Sequence, residues 1–120
     1  MSQTVPQSAE EWLQLPEVQL PVVSSTASDG TVYEVRKVGF LGVPKASCPS
    51  ALHGAQQVAD KILLPTVTAV VDGSDLLCRL PLDLSPWTRH CVEAAHAGMN
   101  PFPATVEFGR LAGRAYAEIL

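Results

Sequence analysis

The stretch Ala51-Leu-His-Gly-Ala-Gln-Gln-Val-Ala-Asp60-Lys-Ile-Leu-Leu-Pro-Thr66-Val-Thr-Ala-Val-Val71 decides the fold. Its first half reads as a helix. Leu52, Ala55, Ala59, Ile62 and Leu63 recur at helical spacing, Gln56, Gln57, Asp60 and Lys61 fall opposite, and Ser50 stands at the N-cap position. Such a helix over 51–64 ends or kinks at Pro65. The second half, 66–72, is rich in β-branched residues, which favours a strand, while continuity with the preceding helix favours a kinked helix. On the strand reading, Asp72-Gly73 is a hairpin turn and 76–80 the returning strand.

Working towards the N-terminus, Val32, Tyr33, Val35, Val38 and Phe40 mark a strand over 31–40, and 39–49, with Gly42, Pro44 and Pro49, reads as a loop. Before them, Val18, Leu20 and Val22 alternate with Glu17, Gln19 and Pro21. Two prolines confine that segment to a sheet edge or an extended arm, and Ser28-Asp29-Gly30 is the turn that makes it a hairpin with 31–40. Ser8-Ala-Glu-Glu11 has the form of a capping box opening a helix over 9–15 that must stop before Pro16.

Towards the C-terminus, Ser85-Pro86 opens a helix as N-cap and N1, and Gly98 sits where a C′ glycine belongs. Trp87, Cys91, Ala94 and Ala95 share one of its faces. After the break at 101–103, Phe108, Leu111, Ala112, Ala115, Tyr116 and Ile119 are stepped as on an amphipathic helix, with Arg114 and Glu118 as an i,i+4 pair. A hairpin of 106–111 with 114–119, turning at Ala112-Gly113, is the competing reading. The sum is an α+β domain: a β-hairpin or small antiparallel sheet packed by two to three helices, over 17–120, preceded by a leader at 1–16 with a short helix.

The 120 residues carry twelve acids and eight bases, for a net charge of −4. Glu10, Glu11, Glu17 and Asp29 precede every Lys and Arg, so the first thirty residues hold the whole excess. A nucleic-acid binder working by phosphate neutralisation needs the opposite balance. The start has neither a basic n-region nor an apolar h-region, and the ten-residue run 62–71 is half the length of a membrane span. The expectation is a cytoplasmic protein that contacts no membrane.

Cys48, Cys78 and Cys91 are odd in number and read as reduced thiols. With His53, His90 and His96 they raise the question of zinc, but no Cys-x-x-Cys and no His pair at i,i+4 occurs, so no metal or other cofactor is expected. His90 and Cys91 are adjacent and diverge by about 100° on a helix. Cys48, at a helix entrance, is the one candidate for an activated thiol. A basic–aromatic patch of Arg36 and Lys37 beside Tyr33 and Phe40 could hold single-stranded nucleic acid; a solvated sheet face explains it more simply. A non-catalytic protein that binds other subunits, including copies of itself, is the expectation, with a small Cys/His metal-binding or thiol enzyme as the alternative. Its candidate contacts are Trp12, Leu15, Val18, Leu20 and Val22 on the arm, which can dock by helix-in-groove or strand addition, and Arg36 and Lys37 on the first long strand.

The order of these pieces resembles the small tail assembly chaperones of long-tailed bacteriophages. Tyr33-Glu-Val-Arg-Lys-Val38 is similar to their basic strand, Val43-Pro44 to Leu52 to the loop entering the first helix, and Ala59 to Val71 to the apolar helix. Leu80-Pro-Leu-Asp-Leu-Ser85 is similar to the linker and Pro86 to Gly98 to the helix after it. The resemblance covers 31–103. It implies a non-catalytic role on tape-measure or tail-tube protein during assembly, or the neighbouring role of a connector or tail-completion component of the virion.

Overall fold

The computed structural model describes residues 8–24, 30–48, 52 and 57–120. In chain order the elements are α1 (Ala9–Gln14), β1 (Val22–Val23), β2 (Thr31–Pro44), β3 (Gln57–Val58), β4 (Lys61–Val71), β5 (Ser74–Arg79), α2 (Ser85–His96), β6 (Ala104–Leu111) and β7 (Arg114–Ile119). The strands form one mixed seven-stranded sheet. This overturns the expected α+β arrangement of two to three helices packed on a hairpin: the domain is mostly β, and among the described residues two α-helices accompany the sheet.

The helix expected over 51–64 is replaced by β3 and the start of β4; positions 49–51 and 53–56 lie outside the described residues. The reason is burial on both sides of β4. Ile62 and Leu64 face one way, into a cluster with Ala9, Trp12, Val43 and Leu52, while Val67 and Ala69 face the other, into the main core. A strand covered on both faces loses its alternation and reads as a continuous apolar run. Pro65 is tolerated because β3 covers Lys61–Ile62 and β5 covers Thr66–Val71, leaving 63–65 without a partner strand on that side. Its carbonyl accepts the N–H of Leu80 at 3.1 Å.

Of the two readings left open for 66–72, the strand with its turn at Asp72-Gly73 is the one observed, and the kinked helix is not. Asp72 (φ 51°) and Gly73 (φ 79°) are both left-handed, as a two-residue type I′ turn requires. The helix expected over the last segment is instead the competing hairpin, β6 with β7, turning through Ala112 (φ 53°) and Gly113 (φ 80°). Ala lacks the tolerance of Asn or Asp for this conformation, so the turn carried a weak signal. The loop expected over 39–49 is in large part strand, since β2 runs on to Pro44. The expected hairpin of the arm with 31–40 is also corrected: β1 pairs with β6, in parallel.

Strands β2, β4 and β5 are consecutive antiparallel neighbours, and β6 returns after α2 to lie on the other side of β2. This 4-1-2-3 order is a Greek key, to which β7 adds a fifth strand. The sheet is strongly curled, as the segment at 16–23 demonstrates. Val18 donates its N–H to the Arg79 carbonyl (3.3 Å), and the Pro21 carbonyl accepts from Arg110 (2.8 Å). Three residues reach about 10 Å. On a flat sheet, β5 and β6 would be about 14 Å apart laterally, and the registers would offset Arg79 from Arg110 by roughly 33 Å along the strands. Only a partly open barrel brings the two sites within reach. A bulge at Arg36, where β2 slips by one residue against β4, contributes the bend.

The concave side holds the core: Val35, Val67, Cys78, Val106 and Phe108, with Val18 from the N-terminal segment. Helix α2 closes it. Trp87 packs edge-on against Phe108 at 5.9 Å and against Phe102 at 6.4 Å, and Cys91 is buried behind them. The helix ends as expected: Gly98 (φ 82°) donates to Ala95 and Met99 to Ala94, a Schellman motif. Its start differs from expectation. Leu84 is the N-cap, and Ser85 is already helical, its buried hydroxyl without a hydrogen-bond partner among the described residues. Ser85→Ala is therefore expected to leave stability unchanged or raise it by up to about 1 kcal/mol, because it removes a desolvated, unpaired group. Loss of a working N-cap would instead cost about 1 kcal/mol. The urea midpoint separates the two by sign.

Candidate interaction site

The N-terminal segment is anchored to the body by one side chain above all. Arg79, at the end of β5, donates from Nε to the Leu15 carbonyl (3.0 Å) and from Nη1 to Glu17 (2.9 Å). Its backbone N–H donates to Pro16 (2.9 Å), its carbonyl accepts from Val18, and Glu17 forms a parallel bridge with it. Its guanidinium lies 5.7 Å from the centre of the Trp12 ring, within cation–π range. Arg79 thus reads the backbone, the acid and the aromatic ring of the same short segment.

Trp12 shows why α1 exists at all. Two turns of helix are unstable alone. Ser8 caps this one, its Oγ accepting from the Glu11 N–H at 3.2 Å, and the Trp12 indole donates to the Pro65 carbonyl at 3.1 Å. The bare stretch of β4 left by Pro65 is therefore the place where Trp12 docks. Farther along, Gln19 donates to the Tyr33 hydroxyl (3.1 Å), and Val22 and Val23 pair with Arg110 and Leu111. The segment enters beside β5, crosses the core and leaves beside β6.

The structure sorts the candidate contact residues. Trp12 and Val18 are 2% exposed and Leu15 and Leu20 partly buried, so all four face this body in the described conformation, while Val22 is 84% exposed. The division at 16/17 falls between Leu15, packed in one cluster, and Val18, packed in the other. The arm is part of the core. Arg36 and Lys37 are exposed at the bulge, and Arg36 pairs with Asp75 at 2.8 Å. Tyr33 points instead into the core, edge-on to Phe108 at 5.8 Å, so it does not join the two cations in a stacking patch. Arg79, Arg89 and Arg110 likewise face Glu17, Glu93 and Asp83. Surface cations matched by acids in this way do not build a groove that follows phosphates. The sequence offered no signal for Arg79, whose partners lie more than 60 residues away.

Among the described residues the three cysteines form no disulfide, and burial pushes all three thiols above their ordinary 9.0, Cys91 to about 11. This corrects the reading of Cys48 as an activated thiol: a raised value keeps it protonated at neutral pH. His90 is exposed while Cys91 is buried, and His53 lies outside the described residues. Among the described residues no three His, Cys, Asp or Glu converge as a metal site, and no helix is long and apolar enough to cross a membrane. Iodoacetamide should label the folded chain slowly at pH 7.5 and fully after denaturation. Below pH 9 the Cys91 thiol keeps its proton in both states. Between 9 and 11 the unfolded chain releases it and the folded chain does not, so stability falls as pH rises. Cys91→Ala should flatten that part of a plot of urea midpoint against pH.

Comparison with protein family models, curated proteins and solved structures returns no match to this chain.

Proposed function

We propose that this chain is a non-catalytic assembly protein that makes subunit contacts by seating an extended peptide between the edge of β5 and the end of β6. The observation that carries this reading is the way the body receives residues 9–23: backbone pairing at both ends, a tryptophan whose indole joins the Leu80 N–H on the Pro65 carbonyl, and one arginine engaging backbone, acid and ring. Extended-peptide capture along sheet edges is a recurrent mode of protein recognition, in which main-chain bonds give affinity and side-chain pockets give selectivity. Three polar groups of the kind used in chemistry have structural tasks here. Arg79 holds the segment, Asp83 accepts the N–H of Ala115 at 3.0 Å, and Glu107 fastens Gly30.

Of the two phage roles implied by the resemblance, the chaperone form leaned on an apolar helix over 59–71. Those residues are a turn and a strand. The connector or tail-completion form, which asks for subunit contact through an extended arm, is the version retained. Co-expression with the products of the flanking genes, followed by size-exclusion chromatography with light scattering, tests the proposal. A stoichiometric complex, with those products or with itself, that is lost in Arg79→Ala supports it. A chain that remains monomeric beside every one of them overturns it.

A further inference from the structure

The hold on residues 9–23 changes in kind along the segment. From Leu15 onward it is on the backbone: Arg79 binds the Leu15 and Pro16 carbonyls and the Val18 N–H, and Arg110 binds the Pro21 carbonyl. Ahead of Leu15, among the described residues, it is on side chains, and of the six residues of α1 only Ala9 and Trp12 are buried. We propose that α1 is a lid. It undocks on its own, turning about Leu15, and uncovers the outer face of β2 and β4 while residues 16–23 stay in place. The inference concerns this chain alone and does not depend on the assembly reading.

Three observations carry it. The first is the joint. Leu15 is extended (φ −66°, ψ 146°), so the helix has already ended at the first residue whose carbonyl is fixed to the body. Rotation about its N–Cα bond carries α1 away. The Leu15 side chain, its carbonyl and everything after it keep their places.

The second is how little docking gives α1. Two turns of helix have no stability of their own, so undocking releases the whole helix to the coil and recovers its conformational entropy. Against this, among the described residues, stand the burial of Ala9 and Trp12, the indole bond to Pro65 and the Arg79 contact. Leu13 is 42% exposed and adds little. Segments with few buried side chains open well below the free energy of global unfolding.

The third is what lies beneath. Val43 stands beside Ile62 and Leu41 beside Leu64, so these side chains share one face of the paired strands, in the cluster that Ala9 and Trp12 complete. The main core, on the other face, includes Val18 and neither buried residue of α1. The lid can therefore lift without opening the cluster that joins β2, β4, β5 and β6. The device is a switch between a chain with this apolar strip covered and one with it bare.

Native-state hydrogen exchange, read by NMR on the full chain in low urea, tests it. The reporters are the Trp12 indole N–H, bonded to Pro65, and the Val18 and Arg110 amides, bonded to Arg79 and Pro21. The indole is expected to be about a hundredfold less protected than the two amides, with little dependence on urea. Ser8→Ala gives a second measurement. Ser8 caps α1 through the Glu11 N–H, so its loss should raise the open population about fivefold. That change should speed exchange at the indole and leave both amides as they are. Equal protection and equal urea dependence at all three sites would overturn the lid, since α1 would then leave only with the rest of the fold. So would a Ser8→Ala effect that reaches the three sites alike. Neither result bears on a complex formed through Arg79.

Discussion

Trp12→Ala should be among the most destabilising single substitutions in this protein, at about 3–5 kcal/mol. The ring is 2% exposed, so truncation opens a cavity against Val43, Ile62 and Leu64. It also leaves the Pro65 carbonyl without its indole donor and removes the aromatic partner of Arg79. A domain of this kind holds about 5–15 kcal/mol in total, so the loss is a large part of it. Urea unfolding followed by circular dichroism measures it. Leu13, the next residue, is 42% exposed, and Leu13→Ala should cost less than about 1 kcal/mol. If the two variants unfold at the same urea concentration, α1 is not docked in solution and Arg79 is not the anchor described. The same packing makes residues 9–23 indispensable to the folded monomer. Their removal opens both clusters at once, taking Trp12 from one and Val18 from the other.

The legible parts of this fold were those with a local chemical signature. Ser8 with Glu11, Asp72-Gly73 and Gly98 each satisfy nearby backbone groups, so their residues announce the structure around them. The illegible parts were decided by neighbours distant in sequence. Residues 51–64 match a helical pattern, but Ile62 and Leu64 are buried because α1 arrives from 50 residues earlier, and no window centred on them contains that fact. Residues 106–119 fit a helical stepping because a hairpin buries Phe108, Ala115 and Ala117 on one side and folds Tyr116 over the other, which imitates the same spacing. The acidic excess of the first thirty residues goes with the reading of 1–16 as a leader outside the domain. Hydropathy along the same stretch, with Trp12, Val18 and Leu20, was the better guide, since those side chains enter the core and the acid at Glu17 is met by Arg79. The candidate site divides in the same manner. Trp12 and Val18 were visible as apolar residues on a segment with helix and strand signals, whereas Arg79 became visible only once β5 was placed beside residue 17.

The second large effect is expected at Gly30, through a buried acid on the opposite side of the sheet from the core. Glu107 lies on β6 facing away from Phe108, yet it has no exposed surface. It accepts the Gly30 N–H at 2.9 Å and the Tyr116 hydroxyl at 2.5 Å. The phenol reaches it by lying across Gly109, where a Cβ would stand 2.8 Å from the ring. A Cβ on Gly30 would meet the Phe108 carbonyl oxygen at 2.4 Å and the Tyr116 hydroxyl at 2.7 Å. The first of these is backbone within the β2–β6 pairing, where Thr31 is opposite Phe108, so it cannot swing aside as a side chain would. Gly30→Ala must therefore move the start of β2 off β6 or expel Tyr116 from Glu107, and either outcome strands a buried carboxylate without one of its donors. The expected cost is about 3 kcal/mol, at the upper end for overpacking plus a lost hydrogen bond to a buried group. Gly39, on the same strand, has nothing within 4 Å of its Cβ position, and Gly39→Ala should be neutral or stabilising by about 0.5 kcal/mol through the unfolded state. The pair of alanine variants thus differs by site and not by chemistry. Equal urea midpoints for the two would mean that the Glu107 fastening does not hold the beginning of β2. A loss confined to Gly30→Ala, accompanied by a change in near-ultraviolet tyrosine signal, would locate the fault at Tyr116.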